Sequence, residues 1–226
     1  MKLLLVAALA ACQSCAYHKP QSLPQLYETR GVERIVKSSV RIRVYCNGQL
    51  TAYGSGVAVS PRHVLSARHI ARGCSNSPTP DMAQFEMITP DGIGHEFILE
   101  LEAANPEIDA ARFVILGSLE LANYASIADY QPRIGQPVYQ YAGDGTMDIG
   151  GEHAFQFKQG FVSETQQDLV IVSIHGVPGN SGSGIFDSEG NLLGILWGGS
   201  WQYSRENYIE ATRPVAWPEL VPGPVL

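Results

Sequence analysis

From residue 39 onward the chain is cut into short apolar stretches. Turn signals separate them every ~8–12 residues, the spacing of all-β sandwiches and barrels, and no long amphipathic helix is visible. Val40, Ile42, Val44 and Cys46 alternate with Arg41, Arg43 and Tyr45, the period of two expected of a strand with one buried face. Gly54-Ser55-Gly56 leads into the apolar run 57–60, Pro61-Arg62 makes a turn, and His63 to Ala67 returns. Further strands are predicted at 96–102 and 112–116. A second set is predicted at 137–141, 154–158, 161–163, 169–174, 184–186, 192–197 and 208–211. Asp187-Ser188-Glu189-Gly190-Asn191 reads as a hairpin turn, 31–38 as a short helical turn, and the two strand sets divide near 118–133. No internal repeat or low-complexity tract interrupts the pattern.

With 226 residues, 45% of them hydrophobic, the chain can bury one large core or two small ones. The formal charge is -7, with no basic face to neutralise phosphates, so nucleic acid is an unsuitable partner. The N-terminus reads as a targeting segment. Lys2 precedes the apolar run 3–11, too short to anchor stably across a bilayer, and Leu9-Ala10-Ala11-Cys12 resembles a bacterial lipobox. The expected division is a signal peptide at 1–11, a lipid-proximal tether at 12–30 beginning with lipidated Cys12, and a folded domain at 31–226. Ordinary secretion with cleavage near Ala16 is the alternative. Cys12-Gln13-Ser14 makes Cys15 a poor lipidation site. Gln13 is not the aspartate that retains lipoproteins at the inner membrane, which favours an outer-membrane or periplasmic-face location. Export implies an oxidising compartment, so Cys46 and Cys74, which flank His69, are expected to form a disulfide; two buried free thiols are the alternative. No metal-ligand spacing links the histidines and acids, and no metal or cofactor is expected.

Three residues carry the chemistry. A serine hydroxyl near neutral pH is a weak nucleophile. It needs a base within hydrogen-bond reach, and the base needs an orienting carboxylate. His69 follows a β-run ending in small residues, in Leu65-Ser66-Ala67-Arg68-His69. Asp109 lies in Ile108-Asp109-Ala110-Ala111, before the apolar run 113–116, with Glu107 as its rival. Ser181 lies in Gly179-Asn180-Ser181-Gly182-Ser183-Gly184, where glycines allow a tight turn that brings backbone N–H groups toward a substrate. The N–H groups of Gly179 and Ser181 are the predicted oxyanion hole. The order His, Asp, Ser and the serine at position 183 both depart from the α/β-hydrolase pattern.

These motifs identify the chain as similar to trypsin-like serine peptidases of the chymotrypsin clan, and among them to the bacterial glutamyl-endopeptidase-like and HtrA-like branches. Residues 54–60 match the strand before the histidine, 179–183 the serine loop, and 194–199 the substrate strand, so the likeness runs from about residue 35 to 218. The resemblance implies an all-β fold of two antiparallel six-stranded barrels, one at about 35–118 and the other at about 134–218, with the site in the cleft between them. It also implies that Leu196, Trp197 and Gly198 present backbone groups to an extended peptide, and that His175 stands in or near the S1 pocket, whose walls would come from 174–181, 196–199 and 206–208. Three departures stand out. Arg34-Ile35-Val36 lacks the following glycines of a zymogen cleavage site, and Asn180 replaces the aspartate that pairs with a freed amino terminus, so trypsin-type activation is not expected. Leu196 occupies the place of a histidine usual in glutamyl endopeptidases.

The resemblance implies a serine endopeptidase, exported and lipid-anchored, acting on proteins or peptides through an acyl-enzyme. The alternatives are a trypsin-like fold that binds peptides or envelope proteins without useful turnover, and a hydrolase acting on esters.

Overall fold

The structure, a computed structural model, describes residues 30–72, 83–88, 97–105, 107–118, 120–143, 155–198 and 209–221. The expectations for Cys12, Cys15, Cys74, the leader and tether before residue 30, and the pocket wall at 206–208 lie outside these residues.

The chain opens with helix α1 (Arg30–Ser38), then strands β1 (Ser39–Cys46), β2 (Gln49–Ala58) and β3 (His63–Ala67), the one-turn helix α2 (Arg68–Ala71), and strands β4 (Ala83–Ile88), β5 (Phe97–Asn105) and β6 (Ala110–Ile115). These six strands close a barrel in the order β1-β2-β3-β6-β5-β4. A second closed barrel, β10-β11-β12-β9-β8-β7, is built from β7 (Pro137–Gly143), β8 (Phe155–Thr165), β9 (Leu169–Val172), β10 (Gly184–Phe186), β11 (Leu192–Gly198) and β12 (Ile209–Thr212). The pairing within both barrels is antiparallel, and each ring closes on itself, the second between β10 and β7 at the pair Phe186–Tyr139. The fold is the all-β, two-barrel architecture expected from the sequence.

Strands β4 and β8 differ from the sequence expectation. Strand β4 joins β1 to β5 although only the alternation of Phe85 and Met87 with Gln84 and Glu86 marks it. The strands expected separately at 154–158 and 161–163 are one continuous strand, β8. Gly160 sits in its middle because a Cβ there would collide with the Ser173 carbonyl and the Ile174 side chain. A glycine inside a strand here marks close backbone approach rather than a break.

Three apolar clusters hold the molecule. One fills the first barrel around Val40, Ile42, Phe113 and Ile115; one fills the second around Val138, Val172, Ile185 and Leu193; the third lies between them. This last cluster joins Ile35 of α1, Val57 and Leu65 of the first barrel, and Phe186, Leu192 and Ile195 of the second. Burial of a side chain such as Phe186, which is fully enclosed, contributes about 1.5–3 kcal/mol.

Helix α1 is a full nine-residue helix, longer than a turn. Val32 and Ile35 face inward, Lys37 pairs with Glu33 on the exposed side at 2.6 Å, and the Ser38 and Ser39 hydroxyls donate to the Ile35 carbonyl at 3.3 and 2.8 Å. Gly31 is pressed against the Ser188 carbonyl, leaving no room for a side chain, so α1 docks on the hairpin between β10 and β11 before the chain enters the other barrel. That hairpin is the one read from the sequence: Asp187 N–H donates to the Asn191 carbonyl at 3.0 Å, and Gly190 takes φ +81°. Between the barrels, Ala125 N–H donates to Ala58 O at 2.8 Å and Ala128 N–H to Leu192 O at 2.9 Å, so the connection is stitched to both. The Tyr130 hydroxyl donates to Asp187 at 2.7 Å; burial, and then that carboxylate, push its phenol up to about 12.

Candidate active site at the barrel seam

Strand β3 ends in small side chains: buried Ser66 and Ala67 are followed at once by α2, whose single turn carries His69. The cap residue Ala67 has no side chain able to accept the free N–H groups of that turn. Asp109 supplies the acceptor from the neighbouring turn between β5 and β6. Its Oδ1 accepts the His69 backbone N–H at 2.9 Å, and its Oδ2 accepts from Nδ1 of the same imidazole at 2.5 Å. The Asp109 carbonyl accepts the Arg68 N–H at 2.8 Å. Asp109 does this from a left-handed backbone conformation, φ +48°, which aspartate tolerates better than most residues. Its carboxylate is more enclosed than the imidazole, with side-chain exposures of 26% and 42%. With Nδ1–H donating to the carboxylate, Nε2 is the ring nitrogen left to accept a proton. Glu107, the rival acid, is exposed, and its N–H bonds to the Asn105 side chain.

Ser181 reaches the same end of β3 from the other barrel. Its carbonyl accepts the Ser55 N–H at 2.7 Å. The next residue, Gly182, is wedged against Ser55 O, Ser66 Oγ and Ala67 N, a space no Cβ could share, and takes φ +87°. Gly182 N–H donates to Leu196 O at 2.7 Å, fixing the loop to β11. Ser181 Oγ makes no hydrogen bond among the described residues.

The residues before Ser181 form a tightly tied loop. Ser55 Oγ donates to Gly179 O at 2.7 Å and accepts Gly143 N–H at 3.1 Å. Asn180 is almost fully buried; its Nδ2 donates to Gly143 O at 2.9 Å, while its Oδ1 accepts the Val177 N–H at 3.1 Å and the Lys158 ammonium at 2.7 Å. Gly179, at φ +92°, and Ser181 direct their N–H groups to no acceptor among the described residues. Gln140 Nε2 donates to Ser183 Oγ at 2.7 Å, so the second serine of the run is a buried structural partner.

The trypsin-like peptidase domain family matches residues 54–195, most of the chain. The chain belongs to that family. No curated protein matches it in sequence. Among solved structures it is similar to a serine endoprotease from Yersinia pestis, with TM-score 0.67 and 19% identity over 85% of this chain and 65% of that one. It is also similar to the active form of the Rv3671c protease from M. tuberculosis, with TM-score 0.67 and 16% identity over 84% of this chain and 82% of that one. The chain thus spans about two thirds of the length of the Yersinia protein. At these identities the structural likeness speaks for the fold.

In strand β11 both backbone groups of Leu196 meet the serine loop. Its N–H donates to Ser183 O at 2.9 Å and its carbonyl accepts from Gly182, so both backbone groups serve the serine loop, and its side chain is buried in the second barrel. The Leu196 N–H is therefore committed to the serine loop, while its carbonyl keeps a second lone pair. The reason is register: Gly198 pairs with Glu210, Leu196 with Ala211, and the strand bulges at Trp197, the first residue free to turn outward. Trp197 crosses the seam to pack against the first-barrel cluster that contains Ile70. His175 is exposed, and its carbonyl accepts from Lys158 at 2.9 Å. The sequence reading missed Ser55, Lys158 and Gln140. Ser55 carried a signal, the glycines on both sides, which leave room for Ile70 and Val64 side chains; Lys158 and Gln140 carried none.

Proposed function

We propose that the chain is a serine endopeptidase in which Ser181 is the nucleophile, His69 the general base and Asp109 the orienting carboxylate. The observation that supports this best is the double hold of Asp109 on His69, through backbone N–H and Nδ1, at the strand end against which the Ser181–Gly182 turn is wedged. His69 Nε2 takes the Ser181 proton as Oγ bonds to the substrate carbonyl carbon. The carbonyl oxygen becomes an oxyanion held by the N–H groups of Gly179 and Ser181. The C–N bond then breaks as His69 returns the proton to the leaving amine, and water repeats the sequence to release the acid. One such oxyanion donor typically lowers the barrier by about 2.7–4 kcal/mol. Trp197 and Gly198 would hold the peptide by strand addition, with selectivity from the pocket below.

The same reading includes export and a lipid anchor at Cys12, with 12–30 as tether, and a Cys46–Cys74 disulfide closing the segment that carries His69. The disulfide-bonded state of Cys46 and its place at the end of β1 favour that pairing. Labelling by a fluorophosphonate, followed by cleavage of a peptide library, tests the enzyme reading on protein lacking the first 15 residues. Labelling of the parent, with none of Ser181→Ala or His69→Ala, is the expected result. A folded parent that neither labels nor cleaves would instead mark a peptide-binding relative.

A further inference from the structure

We infer that Lys158 is a positioning residue that keeps the oxyanion loop assembled without proteolytic activation. The inference rests on the peptidase reading. In trypsin-like domains activated by cleavage, a carboxylate next to the nucleophile needs an incoming cation. Here the residue next to Ser181 is the neutral Asn180, and the cation is already built into the neighbouring strand. Lys158 lies on β8 opposite Gln140, and its ammonium donates both to Asn180 Oδ1 at 2.7 Å and to His175 O at 2.9 Å. Those two acceptors stand at opposite ends of the loop 175–180, so a single charged group closes it.

The remaining ties place that closure under the reacting groups. Asn180 Oδ1 also accepts from Val177 N–H, its own N–H donates to Val177 O at 3.1 Å, and Ser183 N–H donates to Asn180 O at 3.0 Å. The amide of Asn180 is therefore the hub of the turn that aims Gly179 N–H and Ser181 N–H. Removing the ammonium leaves Asn180 Oδ1 with one neutral donor and takes one charged donor from the His175 carbonyl, so the loop loses the tie between its two ends while both barrels keep their cores. Lys158 touches no substrate atom in this scheme; it acts through Asn180.

The test compares the parent with Lys158→Met, Lys158→Gln and Lys158→Arg. In peptide hydrolysis, Lys158→Met and Lys158→Gln are expected to lower kcat by about 10–100-fold, the loss of a charge-assisted hydrogen bond, with KM within about twofold. Lys158→Arg, which keeps the charge, is expected to recover most of that kcat. Amide hydrogen exchange on the same proteins, each also carrying Ser181→Ala, reads the loop without turnover. Peptides covering 175–182 should exchange at least tenfold faster in Lys158→Met and Lys158→Gln, with barrel-core peptides unchanged. Unchanged exchange at 175–182 would overturn the inference, as would exchange that rises equally in the core or a kcat that Arg does not restore. If the parent proves inactive, the peptidase reading fails, and the exchange comparison still decides the role of Lys158.

Discussion

Asp109 caps the single helical turn that carries His69 and, with its other carboxylate oxygen, fixes the ring of that same residue. One side chain thus sets both where the imidazole stands and which nitrogen it offers. Asp109→Asn should separate the two tasks. The amide oxygen can still accept the backbone N–H, but the amide group opposite Nδ1 favours the wrong tautomer. Peptide hydrolysis should fall by about 10⁴-fold, the scale of that tautomer error in a triad, with the melting temperature lowered little. Steady-state kinetics beside a thermal melt would check it; a loss below tenfold would remove Asp109 from the mechanism.

Gly182 and Gly117 give a matched pair. Both have positive φ, but a Cβ at Gly182 would overlap Ser55 O and Ser66 Oγ, whereas Gly117 faces open space. Gly182→Ala should cost about 2–4 kcal/mol from left-handed strain plus overpacking, and should abolish labelling of Ser181. Gly117→Ala should cost only the strain, about 1–2 kcal/mol, and leave labelling intact. Urea unfolding with probe labelling measures both, and equal effects would contradict the packing argument.

Glu210 introduces a pH dependence away from the reacting groups. Burial, and then the Glu164 carboxylate, hold its carboxyl above the ordinary carboxylate range. The folded state therefore binds this proton more tightly than the unfolded chain does. Its contribution to stability is fully present below the unfolded value, about 4.3, and is lost as pH rises through the folded one. Glu210→Gln should match the parent in acid and exceed it in melting temperature at pH 7. A difference between the two that does not change with pH would rule this out.

The strand pattern is legible in sequence because alternation and turn residues are local: β1, β3, β10 and β11 are marked by their own side chains. Chain order also points to His69 and Asp109, and the structure brings them into contact. Relationships between distant segments are not legible. Gly160 reads as a strand break because nothing nearby in sequence announces the Ser173 carbonyl it must accommodate. Nothing in the sequence near Leu196 announces that its N–H is committed to Ser183 and that its carbonyl receives Gly182. Lys158 is an ordinary strand lysine in sequence, and only the closing of β8 beside the serine loop brings its ammonium to Asn180.

Helix α1 has a mechanical consequence. It rests on the second barrel through Gly31 and the 187–191 hairpin, buries Ile35 in the seam, and runs directly into β1 of the first barrel. The segment before residue 30 therefore enters the domain by way of a latch spanning both halves. Tension applied along that segment would be borne first at the latch rather than by either barrel wall, and prying it open would withdraw Ile35 from the seam behind His69 and Ser181.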